Sequence, residues 1–449
     1  MNILLPKEIT YALETIQQAG FEAFIVGGCV RDVLIGREVH DFDITTNALP
    51  SQILQLFSSF TVLETGIKHG TLTVVINHMP IEITTYRIDG TYTDYRRPDG
   101  VLFTKSLMED LKRRDFTMNA LAYNPKTGII DYFNGKEDIY NKIIRTVGSP
   151  DERFTEDGLR IMRALRFSAV LGFRIEEDTK KSIHTYKDKL KYISIERITS
   201  EFSKMICGQY VEEVLLEFWD VIDVIIPELS IQSKDDRAYK LSVKTLVNTP
   251  PILYLRMATL LHSISKQAIL SYEKEENIDN NHSSEKSAFI VKKILQDMRF
   301  DKETTNRVYT LIFYYDLDLI EDKPYIKKWM NKLTPKVLKE LLQLRRAKSL
   351  SQNSKDDKEL GKISTINYLI DEIIASKSCY SIKGLAINGQ DLIKAGIPQG
   401  KLIGEILQKI LEEVIEEKVD NNKKDLLHLA KHIYGEGGQQ ICDLHRSEQ

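Results

Sequence analysis

Residues 24–46 run FIVGGCVRDVLIGREVHDFDITT, and the order of their parts decides the fold. The apolar run from Phe21 to Val26 has the composition of a buried strand. Gly27-Gly28 punctuate it, Cys29 to Leu34 begins a helix, and Asp41 to Thr45 is a second strand. Residues two apart on a strand point to one face, so Asp41 and Asp43 share a face while Phe42 turns to the core. Carboxylates that close repel each other unless a cation lies between them. Mg²⁺ suits the pair, because it takes a few carboxylates and completes its shell with phosphate oxygens. Two such ions can clamp the attacking and leaving oxygens of an in-line phosphoryl displacement. Glycines at a strand-to-helix turn let backbone N–H groups approach a phosphate, and Arg31, one turn inside, adds a charge-assisted contact. Alone, a D-x-D is commonly a solvated strand end, and G-G commonly a turn. The specificity lies in the order: strand, GG, helix, strand with D-x-D. Glu82, on the neighbouring strand IEITTYR (81–87), is either a third carboxylate of this set or a solvent-facing strand residue.

Outward from this motif, residues 7–19 form an expected first helix. GTLTVVI (70–76) and IEITTYRI (81–88) are β-branched and bounded by polar turns, which predicts a hairpin pair. Residues 89–105, DGTYTDYRRPDGVLFTK, have the composition of a loop. The next helix is expected to carry LKRRDFTMNALAYN (111–124), and IIDYFNG (129–135) to close a strand. After about residue 150 apolar residues recur at helical spacing and strand signals nearly vanish. Two polar runs, YEKEENIDNNHSSEK (272–286) and SLSQNSKDDKELGK (349–362), read as solvated loops between helical units. The predicted fold class is therefore α+β: a head with a mixed sheet and helices (1–148), then an all-α neck (149–210), body (211–350) and tail (351–449).

FTEDGLRIMRALRF (154–167) carries the next chemistry. With Thr155 as N-cap, Asp157 and Arg160 fall three apart on one helical face. Arg160, Arg163 and Arg166 drift round one side, while Leu159, Met162, Ala169, Val170 and Phe173 supply a buried stripe. In isolation this is a solvated helix with local ion pairs. Facing a nucleotide, it is a base reader. Aspartate only accepts hydrogen bonds and arginine only donates. Cytosine and adenine each present an amino donor beside a ring acceptor, which an Asp–Arg pair matches. Uracil and guanine present the reverse and leave buried groups unpaired, a strong basis for rejection. Arg163 and Arg166 remain for the triphosphate or for locking the pair.

Composition sets the bounds. The 449 residues, 42% of them apolar, suffice for several packed units. A net charge of −3 gives no global drive toward nucleic acid and leaves room for a local basic groove. Cys29, Cys207, Cys379 and Cys442 are scattered, without a C-x-x-C pair, so neither a disulfide framework nor a zinc site is expected and a reducing cytosol is. The opening MNILLPKEITYALETIQQAG lacks the basic start and apolar core of a secretion signal, and no apolar window reaches a membrane-spanning length. The sequence does not assign an oligomeric state.

In order along the chain, GGCVRD (27–32), HDFDITTNA (40–48), KRRDFTMNALAYN (112–124), EDGLR with RALRF (156–167) and ERITSE (196–201) resemble the class II tRNA nucleotidyltransferases. These are the CCA-adding enzymes, grouped with bacterial poly(A) polymerases in the polymerase-β-like nucleotidyltransferase superfamily. The segment 385–422 is similar to that family's C-terminal region. The resemblance implies a polymerase-β-like head, with Mg²⁺ on Asp41 and Asp43, the catalytic pair. Gly28 and Arg31 would contact the triphosphate and Arg114 the nucleotide. Asp157 and Arg160 would read the base, Arg163 and Arg166 would support it, and Glu196, Arg197 and Glu201 would brace the helix behind. It implies attack of a tRNA 3′-hydroxyl on the α-phosphate of CTP or ATP, with release of diphosphate. Family members that add only CC lack a flexible segment at the place of GTYTDYRRPDG (90–100), which favours addition of all three nucleotides. A poly(A) polymerase shares the head chemistry and is the alternative. LLHSISK (260–266) lacks the aspartate of an HD-type phosphohydrolase, so His262 is expected to be a core or helix-end histidine. His428 and His432 are spaced by four without an adjacent glutamate, so no metal site is expected there.

Overall fold

The computed structural model describes residues 3–39, 41–90, 101–229, 236–262, 283–352 and 357–446. Loop residues 91–100, and the polar run up to residue 282, lie outside the described residues. The head holds a seven-stranded mixed sheet. Its strands are β1 (Ala23–Val26), β2 (Asp43–Thr46), β3 (Thr61–Leu63), β4 (Thr71–Ile76), β5 (Met79–Thr85), β8 (Leu121–Asn124) and β9 (Gly128–Asp131). Their order is β3-β4-β5-β2-β1-β8-β9. The short β6 (Arg87–Asp89) and β7 (Val101–Phe103) pair separately. Central strand β1 is buried along its whole length, as its apolar run requires. The expected hairpin is β4 and β5, whose alternating burial matches their alternating sequence. β2 and β5 run parallel, and their register sets Asp43 opposite Glu82.

Four helices of the head have clear sequence causes. α1 (Lys7–Gln18) buries Ile9, Ala12, Leu13 and Ile16 at helical spacing. α2 (Gly28–Leu34) follows the glycine turn, and α3 (Pro50–Leu56) starts with proline at its first turn. α4 (Leu107–Lys112) is capped by the Ser106 hydroxyl, which accepts from the Glu109 N–H. α4 ends at Lys112, so the expected helix over 111–124 is corrected. Asp115 accepts from its neighbour's N–H (Phe116, 2.8 Å) and from the Asn119 amide (3.0 Å). That local bonding turns the chain, and a single 3₁₀ turn leads into β8. Burial between β1 and β9 then outweighs helical periodicity for LAYN. β2 also begins one residue pair late: Asp41 and Phe42 precede it.

After α5 (Gly135–Tyr140), the neck opens with two helices where one was expected, α6 (Pro150–Glu156) and α7 (Leu159–Leu171). Asp157 between them is extended, and its carboxylate accepts from the Leu159 N–H at 3.0 Å. Asp157 therefore ends α6 and holds the N–H of the first residue of α7, while Thr155 sits inside α6 with its hydroxyl donating to Asp151 O. Of the expected stripe, Leu159, Met162, Ala169 and Phe173 are buried and Val170 is half-buried. α8 (Glu177–Tyr186) and α9 (Ile195–Ile206) complete the neck. One departure from an all-α character is the parallel pairing of β10 (Ile143–Ile144) with β11 (Arg174–Ile175).

The rest is helical among the described residues. A continuous core links Ile3 to Ile373, and a second gathers residues 379–430. The long helix Lys323–Ser351 breaks at Thr334, the residue before Pro335, which cannot stay helical there. Ahead of that break, Lys327 and Lys328 reach Glu417 (3.0 Å) and Glu416 (2.6 Å), joining the two cores. Among the described residues no helix is long and apolar enough to cross a membrane.

Candidate active site

The glycine turn tolerates nothing larger at its first position. Gly27 has φ +84°, and a β-carbon there would lie 3.0 Å from Arg114 Nη1. Gly28 opens α2, whose first-turn N–H groups have no carbonyl inside the helix to bond. Arg31 is buried; it donates to Asn119 Oδ1 at 2.6 Å and to both oxygens of Asp32 at 2.9 and 3.0 Å.

Asp43 and Glu82 face each other across the parallel pair, and Asp41 lies two residues ahead. The Asp43 carboxyl is open to solvent yet crowded by protein. Burial pushes its pKa up, the nearby Glu82 and Asp41 add to this, and Arg114 opposes it. Excess negative charge of this kind fits a divalent cation by its donor chemistry. As placed, no three His, Cys, Asp or Glu side chains among the described residues converge to hold an ion. Thr45, on the same face as Asp43, donates to Asp110 at 3.0 Å. Asp110 is fully buried and also takes Arg113 at 2.8 Å and Arg114 at 3.6 Å. Its burial would raise its pKa; Arg113, Arg114 and Thr45 outweigh that and hold it low. Arg114 thus stands between Asp110 and Asp43, with its Nε lacking a hydrogen bond.

From the neck, Arg163 donates to Asp115 of the head at 2.7 Å. Burial alone would raise the Asp115 pKa, but Arg163, the Asn119 amide and the Phe116 N–H hold it at about 2. Glu201, on α9, lies 3.6 Å from Arg163 and 2.5 Å from Arg166. Asp157 and Arg160 are joined through the backbone, the Arg160 N–H donating to Asp157 O at 3.0 Å, but their side chains go to different partners. Asp157 accepts from Arg197 at 2.8 Å. Arg160 is buried and donates to Glu156 at 2.6 Å, Arg153 O at 3.3 Å and Arg113 O at 3.0 Å. The break at Asp157 is what separates the two. Arg197 and Glu201 do stand behind the arginine helix, whereas Glu196 is exposed on the first turn of α9.

Sequence reasoning passed over Asp110, Asp115, Asn119, Glu156 and Phe167. The local signal was present for Asp115, a carboxylate directly after two arginines. Glu156 pairs locally with Arg153 and Arg160, while Asp110, Asn119 and Phe167 acquire meaning through partners far along the chain. His262 ends the helix Leu253–Leu261, bonds Thr259 O at 2.8 Å and rests on the Tyr315 ring.

The strand order, the glycine turn and the helical body define a nucleotidyltransferase head on an α-helical body. Three family profiles match, for the Poly A polymerase head domain (23–145), the probable RNA and SrmB-binding site of polymerase A (172–232) and a putative tRNA nucleotidyltransferase domain 2 (285–430). By these matches the chain is similar, along separate stretches, to domains of tRNA nucleotidyltransferases and poly(A) polymerases. It is 51% identical over 208 residues to the CCA-adding enzyme of Lactobacillus helveticus, a match covering 46% of this chain and 52% of that one. The chain thus spans about half the length of the curated relatives it matches. It is also similar to the Bacillus stearothermophilus CCA-adding enzyme solved in complex with CTP. That match has a TM-score of 0.71 and 26% identity, and covers 97% of this chain and 100% of that one. A Thermotoga maritima CCA-adding enzyme complexed with tRNA shares the fold, with TM-score 0.58, 20% identity, and coverage of 95% and 94%.

Proposed function

We propose that this chain adds CCA to the 3′ end of tRNA without a nucleic-acid template, using CTP and ATP and releasing diphosphate. The observation that carries it is the meeting of three things: Asp43 at the start of β2 with Glu82 opposite and Asp41 just ahead of the strand, the Gly27-Gly28 turn, and an arginine-rich neck helix. Asp41 and Asp43 would hold Mg²⁺, with Glu82 beside them. A divalent cation there would supply Lewis-acid stabilisation to phosphate oxygens. Gly28 and Arg31 take the triphosphate, together with Arg163 and Arg166, and Arg114 contacts the nucleotide.

Asp157 and Arg160 read the base edge from their separate anchors. Arg197 and the Leu159 N–H use two acceptor sites of Asp157, leaving others for an amino group. Arg160 commits both Nη1 hydrogens and one on Nη2, leaving Nε and one Nη2 hydrogen for a ring nitrogen. The helical body and tail dock the tRNA acceptor arm, a surface a small acceptor would not need.

The test uses purified protein, Mg²⁺ and a tRNA transcript ending before CCA. Each nucleotide is supplied alone, then CTP with ATP, and product length is read at single-nucleotide resolution. Addition of C, C and A followed by a stop is the expected result, lost in Asp41→Ala/Asp43→Ala. Long A tails would make this a poly(A) polymerase, and a stop after CC a CC-adding relative. No incorporation would overturn the reading.

A further inference from the structure

Phe167, buried on α7, collects the arginines of the site round one ring. The guanidinium carbons of Arg166, Arg31 and Arg163 lie 3.9, 4.9 and 5.4 Å from its centroid. Arg31 comes from the head and the other two from the neck. Phe116 braces the ring nearly edge-on, with centroids 5.8 Å apart and planes at 86°. A guanidinium drawn to a ring face is held by its charge and its own face, and its in-plane N–H donors stay available. Those donors meet carboxylates here: Asp32 on Arg31, Asp115 and Glu201 on Arg163, and Glu201 on Arg166. The last contact lacks hydrogen-bond geometry, and Arg166 Nε is left without a bond. Carboxylates alone would not keep three cations in place once a phosphate competed for the same donors. The ring would, because it occupies none of them.

We infer that Phe167 is a positioning residue for nucleoside triphosphates. Its ring fixes where the three guanidiniums sit while their N–H partners exchange between carboxylate and phosphate. This rests on the reading that Arg31, Arg163 and Arg166 take the triphosphate. The feature also ties the head to the neck at one side chain, so the anion site forms only when both are docked.

The experiment replaces Phe167 in the full chain with mono-, di- and trifluorinated phenylalanines, which keep the ring's shape and progressively strip negative potential from its face. Binding of CTP, CMP and UTP is measured by calorimetry, and KM and kcat for CTP by primer extension. The unmodified chain should bind CTP more tightly than CMP. The trifluorinated form should lose about tenfold in CTP affinity, with KM rising and kcat nearly constant. CMP affinity and the preference for CTP over UTP should not move. CTP affinity within twofold of the unmodified chain overturns the inference, as does an equal loss for CTP and CMP, which would make the ring simple packing. Equal CTP and CMP binding by the unmodified chain would instead sink the triphosphate reading, and this inference with it.

Discussion

The two charged sides of the site follow opposite plans. The arginine side is closed: Arg31 has Asp32 and Asn119, Arg160 has Glu156, and Arg163 and Arg166 have Asp115 and Glu201. The carboxylate side is open. Asp43 has Glu82 and Asp41 as like-charged neighbours, and only Arg114 opposes them. The difference separates cations held on internal partners, which a bound phosphate has to displace, from carboxylates left without a counter-ion of their own. A closed cluster stabilises the structure and fixes geometry. An open one costs stability and marks chemistry.

Removing a carboxylate from each side tests this contrast most strongly. Asp43→Asn should lower nucleotide transfer by about a thousandfold while thermal stability holds or rises, because a repulsive charge is gone. A variant that is inactive because it melts early would break the comparison. Asp115→Asn should do the reverse to stability, costing about 3–5 kcal/mol in a denaturant titration, since Arg163 is left half-buried without its main partner. A smaller effect is the pH dependence. Asp115 sits at about 2 when folded against an ordinary 3.8. A depressed carboxylate contributes stability above its unfolded pKa and loses it as pH falls through the folded value. Stability should therefore drop by about 2–3 kcal/mol between roughly pH 5 and pH 2 on account of this group. Urea titrations across that window should show a shallower fall for Asp115→Asn. The smallest expected effect is at the base reader. Arg197→Ala frees Asp157 from its bracing partner, so preference for CTP over UTP should fall about fivefold, with turnover on CTP nearly kept. An unchanged preference in competition assays would remove Arg197 from the reader.

The legibility of these features in sequence followed how local their causes are. The β1–GG–α2 turn and the hairpin β4–β5 were legible because glycine and period-two alternation act within a few residues. So was the pairing of Asp43 with Glu82 as a possibility, although which strands are neighbours is a tertiary fact. KRRDFTMN misled because its spacing suits a helix, while the bonds that end the helix come from Asp115 turning back on its neighbours. The single expected helix over 154–167 failed for the same reason: Asp157 is extended and bonds the Leu159 N–H, and that local bond divides the run. Asp110 was invisible, since a carboxylate on an amphipathic helix is ordinarily solvated. The approach of Thr45, from more than sixty positions away, and of the Arg87 N–H joins the nearby Arg113 and Arg114 to make it a buried hub.

The separate core of residues 379–430 has a consequence for cooperativity. Part of its connection to the body is ionic, through Lys327–Glu417 and the more exposed Lys328–Glu416. A unit with its own apolar interior and a charged seam can melt by itself. Calorimetry should resolve two transitions, and added salt should pull the tail's melting temperature away from that of the rest. Damage at the catalytic end and damage at the far end would then be felt as separate events, and a single melting temperature would describe neither.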